Sequence, residues 1–69
     1  MKFSARNLLK GTVTRITMGA VNAEVELQLG DGQKVVSIIT INSVENLGLE
    51  EGKQAYAMIK ASNVMLAID

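Results

Sequence analysis

The clearest pattern in the sequence is the strict alternation of apolar and polar residues from Val21 to Leu29. Successive side chains of a β-strand point to opposite faces, so a period of two predicts a strand with one buried face and one face in water. The polar face carries Glu24 and Glu26, which we interpret as solvated residues rather than as a catalytic carboxylate pair. Any fold of this chain must therefore contain a sheet with a core on one side.

One further strand is predicted on each side of this segment. Leu8–Met18 is rich in Thr, Val and Ile, but it contains Gly11 and departs from strict alternation, which is typical of a bent or bulged strand. The turn at Gly30–Gly32 reverses the chain into Val35–Ile41, which is largely apolar on both faces. We predict that this third strand lies in the centre of the sheet and pairs with the second.

The second half of the chain predicts one short helix and two more strands. Asn42 is a suitable N-cap, Glu45 follows three residues later as in a capping box, and Gly48 can end the helix. The segments 54–61 and 64–68 suit a fourth and a fifth strand. The prediction is therefore an all-β fold, a five-stranded OB-fold barrel with one short helix between strands 3 and 4. Residues 1–69 are predicted to form a single domain.

The composition excludes most catalytic and metal-binding sites. The 69 residues include no His, no Cys and no Trp. Without imidazole or thiolate there is no ligand set for zinc, haem or an iron–sulfur cluster, and no Ser-His or Cys-His pair. We expect a protein that is not an enzyme, with no catalytic residues and no cofactor. So short a chain also buries a small core, which favours self-association.

Macromolecular partners are limited by hydropathy and charge. No apolar stretch approaches the length of a membrane span, and no signal sequence precedes the first strand, so we expect a cytoplasmic protein without membrane contact. The net charge is zero and the only aromatic residues are Phe3 and Tyr56, which disfavours binding of nucleic acid. The element order alone keeps a single-stranded nucleic-acid-binding module as an alternative.

The distribution of charge along the chain predicts where a small anion could bind. Residues 1–22 contain four basic residues and no acidic residue, whereas residues 23–52 contain six acidic residues and one Lys. Two donor-rich motifs lie near the ends of the chain, and their members are Ser4, Ala5, Arg6 and Asn7 in the first and Lys60, Ala61 and Ser62 in the second. Such donors suit an oxyanion, although each motif alone is more typical of a turn beside a solvated cation.

A third segment of small residues could expose backbone donors to an anion. Gly19, Ala20 and Asn22 lie between the first two predicted strands, where a concave run of backbone N–H groups could form. On spacing alone, a plain hairpin turn is the better interpretation of this segment.

Taken together and in order, five motifs resemble the molbindin, or Mop-domain, family over essentially the whole chain. They are Ser4-Ala5-Arg6-Asn7 with Leu9-x-Gly11-x-Val13, Gly19-x-Val21-x-x-Glu24-Val25, Ile39-Thr40-x-x-Ser43, Leu47-Gly48-Leu49-x-x-Gly52 and Ile59-Lys60-Ala61-Ser62-x-Val64. The resemblance implies an OB-fold module that binds molybdate or tungstate. It also implies a stand-alone protein for intracellular molybdenum storage or homeostasis. The resemblance implies, in addition, a homohexamer that is built as a trimer of dimers and has oxyanion sites between subunits.

The resemblance also implies roles for individual residues. The Ser4–Asn7 and Lys60–Ser62 motifs would meet across a subunit interface and hold molybdenum as its oxyanion, without direct coordination of the metal. A second type of site, around a threefold axis, matches Gly19, Ala20 and Asn22. Binding of the molybdenum pterin cofactor is a third hypothesis, which the scarcity of aromatic stacking partners disfavours.

Overall fold

The computed structural model describes residues 1–69 and contains one curled antiparallel sheet and one short helix. The strands are β1 (Asn7–Met18), β2 (Asn22–Leu29), β3 (Lys34–Thr40) and β4 (Gln54–Ile59). Helix α1 (Ile41–Leu47) follows β3, and a single 3₁₀ turn (Ala61–Asn63) follows β4. The strand order is β3-β2-β1-β4, and the sheet curls into a half-barrel, consistent with an OB-like fold.

Strand β1 joins the two halves of the sheet because it is long and bent. Its first half pairs with β4 and its second half with β2, and both partners meet it at Gly11. The register shifts between Val13 and Arg15, which places a bulge at Thr14. Gly11 is buried, and a Cβ atom there would lie 2.8 Å from the backbone oxygen of Gln28. The predicted bent and bulged strand is therefore confirmed.

The core lies on the concave side of the sheet and is small. Its five buried apolar residues are Val13, Ala23, Val25, Leu27 and Val44. Three of them alternate along β2, which confirms the predicted strand, and Val44 comes from α1, which covers one end of the half-barrel. Only six of the 69 residues are buried in total. The single chain therefore gains limited stability from apolar burial.

The helix forms where it was predicted, but its N-cap prediction was wrong. The N-cap is Thr40, whose Oγ1 accepts a hydrogen bond from the Ser43 N–H at 3.0 Å, and Asn42 lies inside the helix. Thr40 is the last residue of β3 and still has an extended conformation. Its side chain can therefore reach a free N–H group in the first turn of the helix. Gly48 ends the helix with a φ of 64°, as predicted.

Two predictions about the sheet differ from the structure. Residues 64–68 form no strand, and the fourth strand ends at Ile59 rather than at residue 61, because the chain turns away at Ala61–Asn63. Strand β3 pairs with β2 as predicted, but it lies at an edge rather than in the centre. Its outward residues Val36 and Ile38 are consequently exposed. Pairing with one neighbouring strand therefore leaves part of the apolar surface of β3 exposed to water.

Glu26 is held by neighbours on both sides, so its interpretation as a solvated residue was wrong. The Thr14 hydroxyl donates a hydrogen bond to its Oε1 at 2.9 Å. Lys34 Nζ and Arg15 Nη2 each lie 3.4 Å from a carboxylate oxygen. The Thr14 hydrogen bond, with the two cations, lowers the pKa of Glu26 against the opposing effect of its partial burial. Glu24, on the same face of β2, is exposed and has no ion pair.

Neither of the two short helical segments has the length and apolar character needed to cross a membrane.

Replacing Gly11 tests the close approach that bends β1. We expect Gly11→Ala to lower the free energy of unfolding by about 1–3 kcal/mol, because the added methyl group overlaps the Gln28 backbone. Urea unfolding measures the change, and Gly30→Ala is the matched control, since nothing lies within 4 Å of a Cβ atom at that position. Equal stability of the two variants would contradict the packing described for β1.

The Glu26 network predicts a pH-dependent contribution to stability. Because the pKa of Glu26 is lower in the folded chain than its ordinary value of 4.5, its ionised form stabilises the fold above that pH. This contribution is lost as the pH falls through the lowered pKa. Glu26→Gln should therefore be less stable than the parent at pH 7, with a difference that shrinks on acidification. Urea unfolding at progressively lower pH measures it, with Glu24→Gln as the control, and a gap that does not change with pH would refute this role.

Candidate functional site

The two donor-rich motifs lie side by side at one edge of the sheet, because β1 begins where β4 ends. Asn7 pairs with Ile59 in the antiparallel register, and its side-chain Nδ2 donates a hydrogen bond to the Ile59 backbone oxygen at 3.1 Å. Arg6 precedes Asn7 and Lys60 follows Ile59 in the chain, so both cations adjoin this pair. The structure thus brings together, within one chain, two motifs that are separated by more than fifty residues in sequence.

The cations at this edge are free of carboxylates. The ion pairs of the chain involve other basic residues, namely Arg15, Lys34 and Lys53, and neither Arg6 nor Lys60 takes part in one. No carboxylate belongs to either motif. The guanidinium and ammonium groups therefore keep their hydrogen-bond donors for a ligand, and these donors are charged.

The hydroxyl groups of Ser4 and Ser62 add neutral donors to the same edge. Both residues are exposed, and neither side chain makes a hydrogen bond within the chain. Ala5 is half-buried and Ala61 is exposed at the start of the 3₁₀ turn. The arrangement is rich in donors and open to solvent, so a single chain presents these groups without enclosing them.

Asn7 has a positioning role that its place in the motif did not reveal. Its role as a donor to the ligand stays a prediction, and within the chain its side-chain amide donates one hydrogen bond to the end of β4, with the residue half-buried. Sequence spacing cannot show this contact, since Ile59 is 52 residues away. We infer that Asn7 fixes the distance between the two motifs.

The third predicted segment lies at the opposite end of β1. Gly19, Ala20 and Asn22 form the exposed turn between β1 and β2, and the Gly19 N–H donates to the Asn22 backbone oxygen at 2.8 Å. The nearest cation, Arg15, is paired with Glu26. Within one chain this segment therefore does not join the first two motifs, and one of its backbone donors is already used.

No group of three or more His, Cys, Asp or Glu residues lies close enough together to hold a metal ion.

Comparison with known proteins shows the family of the chain. A family model described as "TOBE domain" matches residues 4–66. The chain is 48% identical over its full length to the whole of a probable molybdenum-pterin-binding protein of Haemophilus influenzae. It is 55% identical over 67 residues to the molybdenum-pterin-binding protein MopA of Rhodobacter capsulatus, covering 97% of this chain but only 25% of that relative.

A solved structure resembles the fold closely. The cytoplasmic molybdate-binding protein ModG, in a crystal form with molybdate bound, superposes with a TM-score of 0.95 at 51% identity. The match covers all of this chain and 49% of the ModG chain. The relatives are named for binding and not for catalysis. The family resemblance predicted from the five sequence motifs is thereby confirmed, and the chain belongs to the TOBE-domain family, among the Mop proteins.

Proposed function

We propose that this protein binds molybdate, and the nearly isosteric tungstate, as an intact oxyanion at the edge formed by Ser4–Asn7 and Lys60–Ser62. The observation that carries the proposal is the pairing of Asn7 with Ile59, which sets two carboxylate-free donor motifs beside each other. Arg6 and Lys60 supply charged donors, and Ser4 and Ser62 supply hydroxyl groups. In this proposal the protein is not an enzyme, and residues 1–69 act as one Mop domain.

The chemistry of molybdate fits this donor set. Molybdate near neutral pH is a fully deprotonated tetrahedral dianion, so it can only accept hydrogen bonds, and a nearby carboxylate would repel it. Phosphate carries a proton at neutral pH, and a site built only of donors leaves that proton without an acceptor. Sulfate has the same charge and the same acceptors as molybdate but is smaller, so its rejection requires a cavity of fixed size.

A cavity of fixed size requires a second copy of the chain. All four proposed donor residues are exposed in the single chain, where water competes for each of them. The chain also exposes 5513 Å², whereas a folded monomer of 7.4 kDa is expected to expose about 4,200 Å². The excess of about 1,300 Å² per chain is larger than the about 800 Å² that each partner buries in an interface of standard size. We therefore place the oxyanion site between subunits of a homo-oligomer, with a hexamer built as a trimer of dimers as the proposed assembly.

A second site is proposed at the turn between β1 and β2. Gly19, Ala20 and Asn22 of several copies would surround an anion on a threefold axis. Because the Gly19 N–H is bound to Asn22 and Arg15 is bound to Glu26, each copy would contribute few donors. Repetition of the turn around the threefold axis would supply the hydrogen-bond donors that a single turn lacks.

The biological role that follows is cytoplasmic storage and homeostasis of molybdenum. It is supported by the similar protein ModG, which is described as a cytoplasmic molybdate-binding protein. Binding of the molybdenum pterin cofactor is the alternative that the names of two relatives favour. Excess free pterin in the binding assay separates the two ligands, since a site for the bare oxyanion is unaffected by it.

Removing one charged donor tests the site directly. Arg6→Ala and Lys60→Ala should each leave the fold intact and weaken molybdate binding by about 1.5–3 kcal/mol, the contribution of a hydrogen bond to a charged group. This corresponds to an increase in Kd of about 10- to 150-fold. Equilibrium dialysis with radiolabelled molybdate measures the affinity, and circular dichroism checks the fold.

The matched control for these variants is Lys10→Ala. Lys10 is an exposed cation in the middle of β1 that belongs to neither motif and forms no ion pair. Its replacement removes the same charge and should change the Kd little. Equal losses in all three variants would indicate general attraction of the anion, and unchanged affinity in Arg6→Ala and Lys60→Ala would place the site elsewhere.

A further inference from the structure

The outer face of the sheet carries a hollow whose lining is almost entirely polar. It has a volume of about 450 Å³ and lies over the middle of β1, between β2 and β4. Of its eight lining residues, only Leu29 is hydrophobic. This volume is within the range of sites that hold small organic molecules. The hollow includes no residue of the edge assigned to molybdate and none of the turn between β1 and β2.

Strand pairing places four polar residues in one row across the sheet. Thr12 of β1 pairs with Gln28 of β2 on one side and with Gln54 of β4 on the other. Gln28 pairs in turn with Lys34 of β3. Thr12 and Gln28 are exposed and follow buried residues of their strands, so their side chains point away from the core. Because adjacent strands lie about 5 Å apart, the two Gln residues flank Thr12 at a backbone separation of about 10 Å.

The shape of the hollow follows from the backbone. Gly11 and Thr14 both line it, and they mark the close approach and the bulge of β1. A bulge interrupts the regular ladder and bends the strand locally, which leaves a depression beside it. Gly30 lines the hollow as well, and a Cβ atom there would meet nothing within 4 Å, so no side chain fills the space. The hollow is therefore preformed and does not depend on the rotamer of one side chain.

Most polar side chains of the hollow have no partner within the chain. Four of them make neither a side-chain hydrogen bond nor an ion pair, and they are Lys10, Thr12, Gln28 and Gln54. Thr14 is the exception, because its hydroxyl donates to Glu26. No carboxylate lines the hollow, and the charge of Glu26 is offset by Arg15 and Lys34. One free cation and several free neutral groups thus face one space.

Polar side chains gather at the hollow and are not spread evenly over the outer face. Beyond Lys34 on β3, Val36 and Ile38 are exposed, and beyond Gln54 on β4, Tyr56 and Met58 are exposed. A face that is only solvated would carry polar residues along each strand. The concentration of free amides and hydroxyls at the one depression favours a binding site over a plain solvated surface.

We propose that this hollow binds a small organic anion that carries several hydroxyl groups, such as a sugar acid or a sugar phosphate. The Lys10 ammonium binds the carboxylate or phosphate through a charge-assisted hydrogen bond. The carboxamides of Gln28 and Gln54 each donate and accept, as does the Thr12 hydroxyl, and a ligand hydroxyl needs both kinds of partner. A bare inorganic dianion only accepts, so it leaves the amide oxygens unpaired. The site is separate from the molybdate edge and does not rest on the proposed function.

Nuclear magnetic resonance of the side-chain amides tests the site in the unaltered protein. The chain contains three Gln residues, which are Gln28, Gln33 and Gln54. Titration of isotope-labelled protein with gluconate, and separately with glucose 6-phosphate, should shift the amide signals of Gln28 and Gln54. The signal of Gln33, which lies in the turn outside the hollow, should stay in place. A response to one probe alone identifies the anionic group that the site accepts. No shift with either probe at millimolar concentration would overturn the proposal.

Simpler probes separate the two parts of the chemistry. Glucose has hydroxyl groups without a charge, and inorganic phosphate has the charge without the array of hydroxyl groups. Both should shift the Gln28 and Gln54 signals less than the organic anions do at the same concentration. An equal effect of glucose would remove the role of Lys10, and an equal effect of phosphate would show general attraction of anions. Either result would overturn the proposal, as would a shift of these signals by molybdate.

A substitution in the hollow has a matched control in the turn. Gln28→Met removes the carboxamide and keeps an unbranched side chain, so it should raise the Kd of the responding probe by about 2- to 10-fold, the effect of one neutral hydrogen bond. Gln33→Met makes the same change outside the hollow and should leave the Kd unchanged. Equal Kd values for both variants would contradict the site. Arg6→Ala should lose molybdate and keep the probe, which distinguishes failure of this site from failure of the proposed function.

Reaction with a maleimide dye shows whether the hollow is open in the assembled protein. Because the chain has no native Cys, Thr12→Cys provides a single thiol at the centre of the row. We expect this thiol to react in the folded assembly and to react more slowly when the organic anion is present. A thiol that reacts only after unfolding would show that another copy covers the hollow, and this would overturn the proposal.

Discussion

The architecture depends on the close approach of the backbones at Gly11. Because Gly11 has no Cβ, β1 can bend there and keep its hydrogen bonds to β2 on one side and to β4 on the other. The bulge at Thr14 then turns the second half of the strand over the core. Without this bend β1 would not pair with β4 and β2 in turn, and the N-terminal motif would not reach the end of β4.

The same strand links the fold to the proposed function. Asn7 and Ile59 pair in an ordinary antiparallel ladder. This pairing sets the two short motifs beside each other at one donor-rich edge. No acidic residue of the chain belongs to either motif. Glu26 is neutralised by Arg15 and Lys34 on the outer face of the sheet, and the remaining carboxylates lie outside both motifs. A site for a dianion requires both the presence of donors and this separation of charge.

Local patterns predicted the local structure well, and contacts between distant residues were missed. The alternation along β2, the glycine in β1 and the glycine after α1 each act through their own neighbours, so sequence alone located them. Thr40 displaced Asn42 as the N-cap because the end of β3 is fixed by pairing with β2, a contact between strands. The Glu26 network and the Asn7 amide contact also join residues of different strands. The roles of the individual donor residues stay predictions, and residues 64–68 form no strand in the chain.

The central claim is that the assembled protein retains molybdate in preference to sulfate. The most direct measurement is equilibrium dialysis of the unaltered protein against micromolar molybdate in a large excess of sulfate, together with the mass of the assembly in solution. We predict retention near or above one molybdate per chain on a homo-oligomer. A folded protein that retains no molybdate under these conditions would contradict the account, and its resemblance to molybdate-binding proteins would then be one of fold alone.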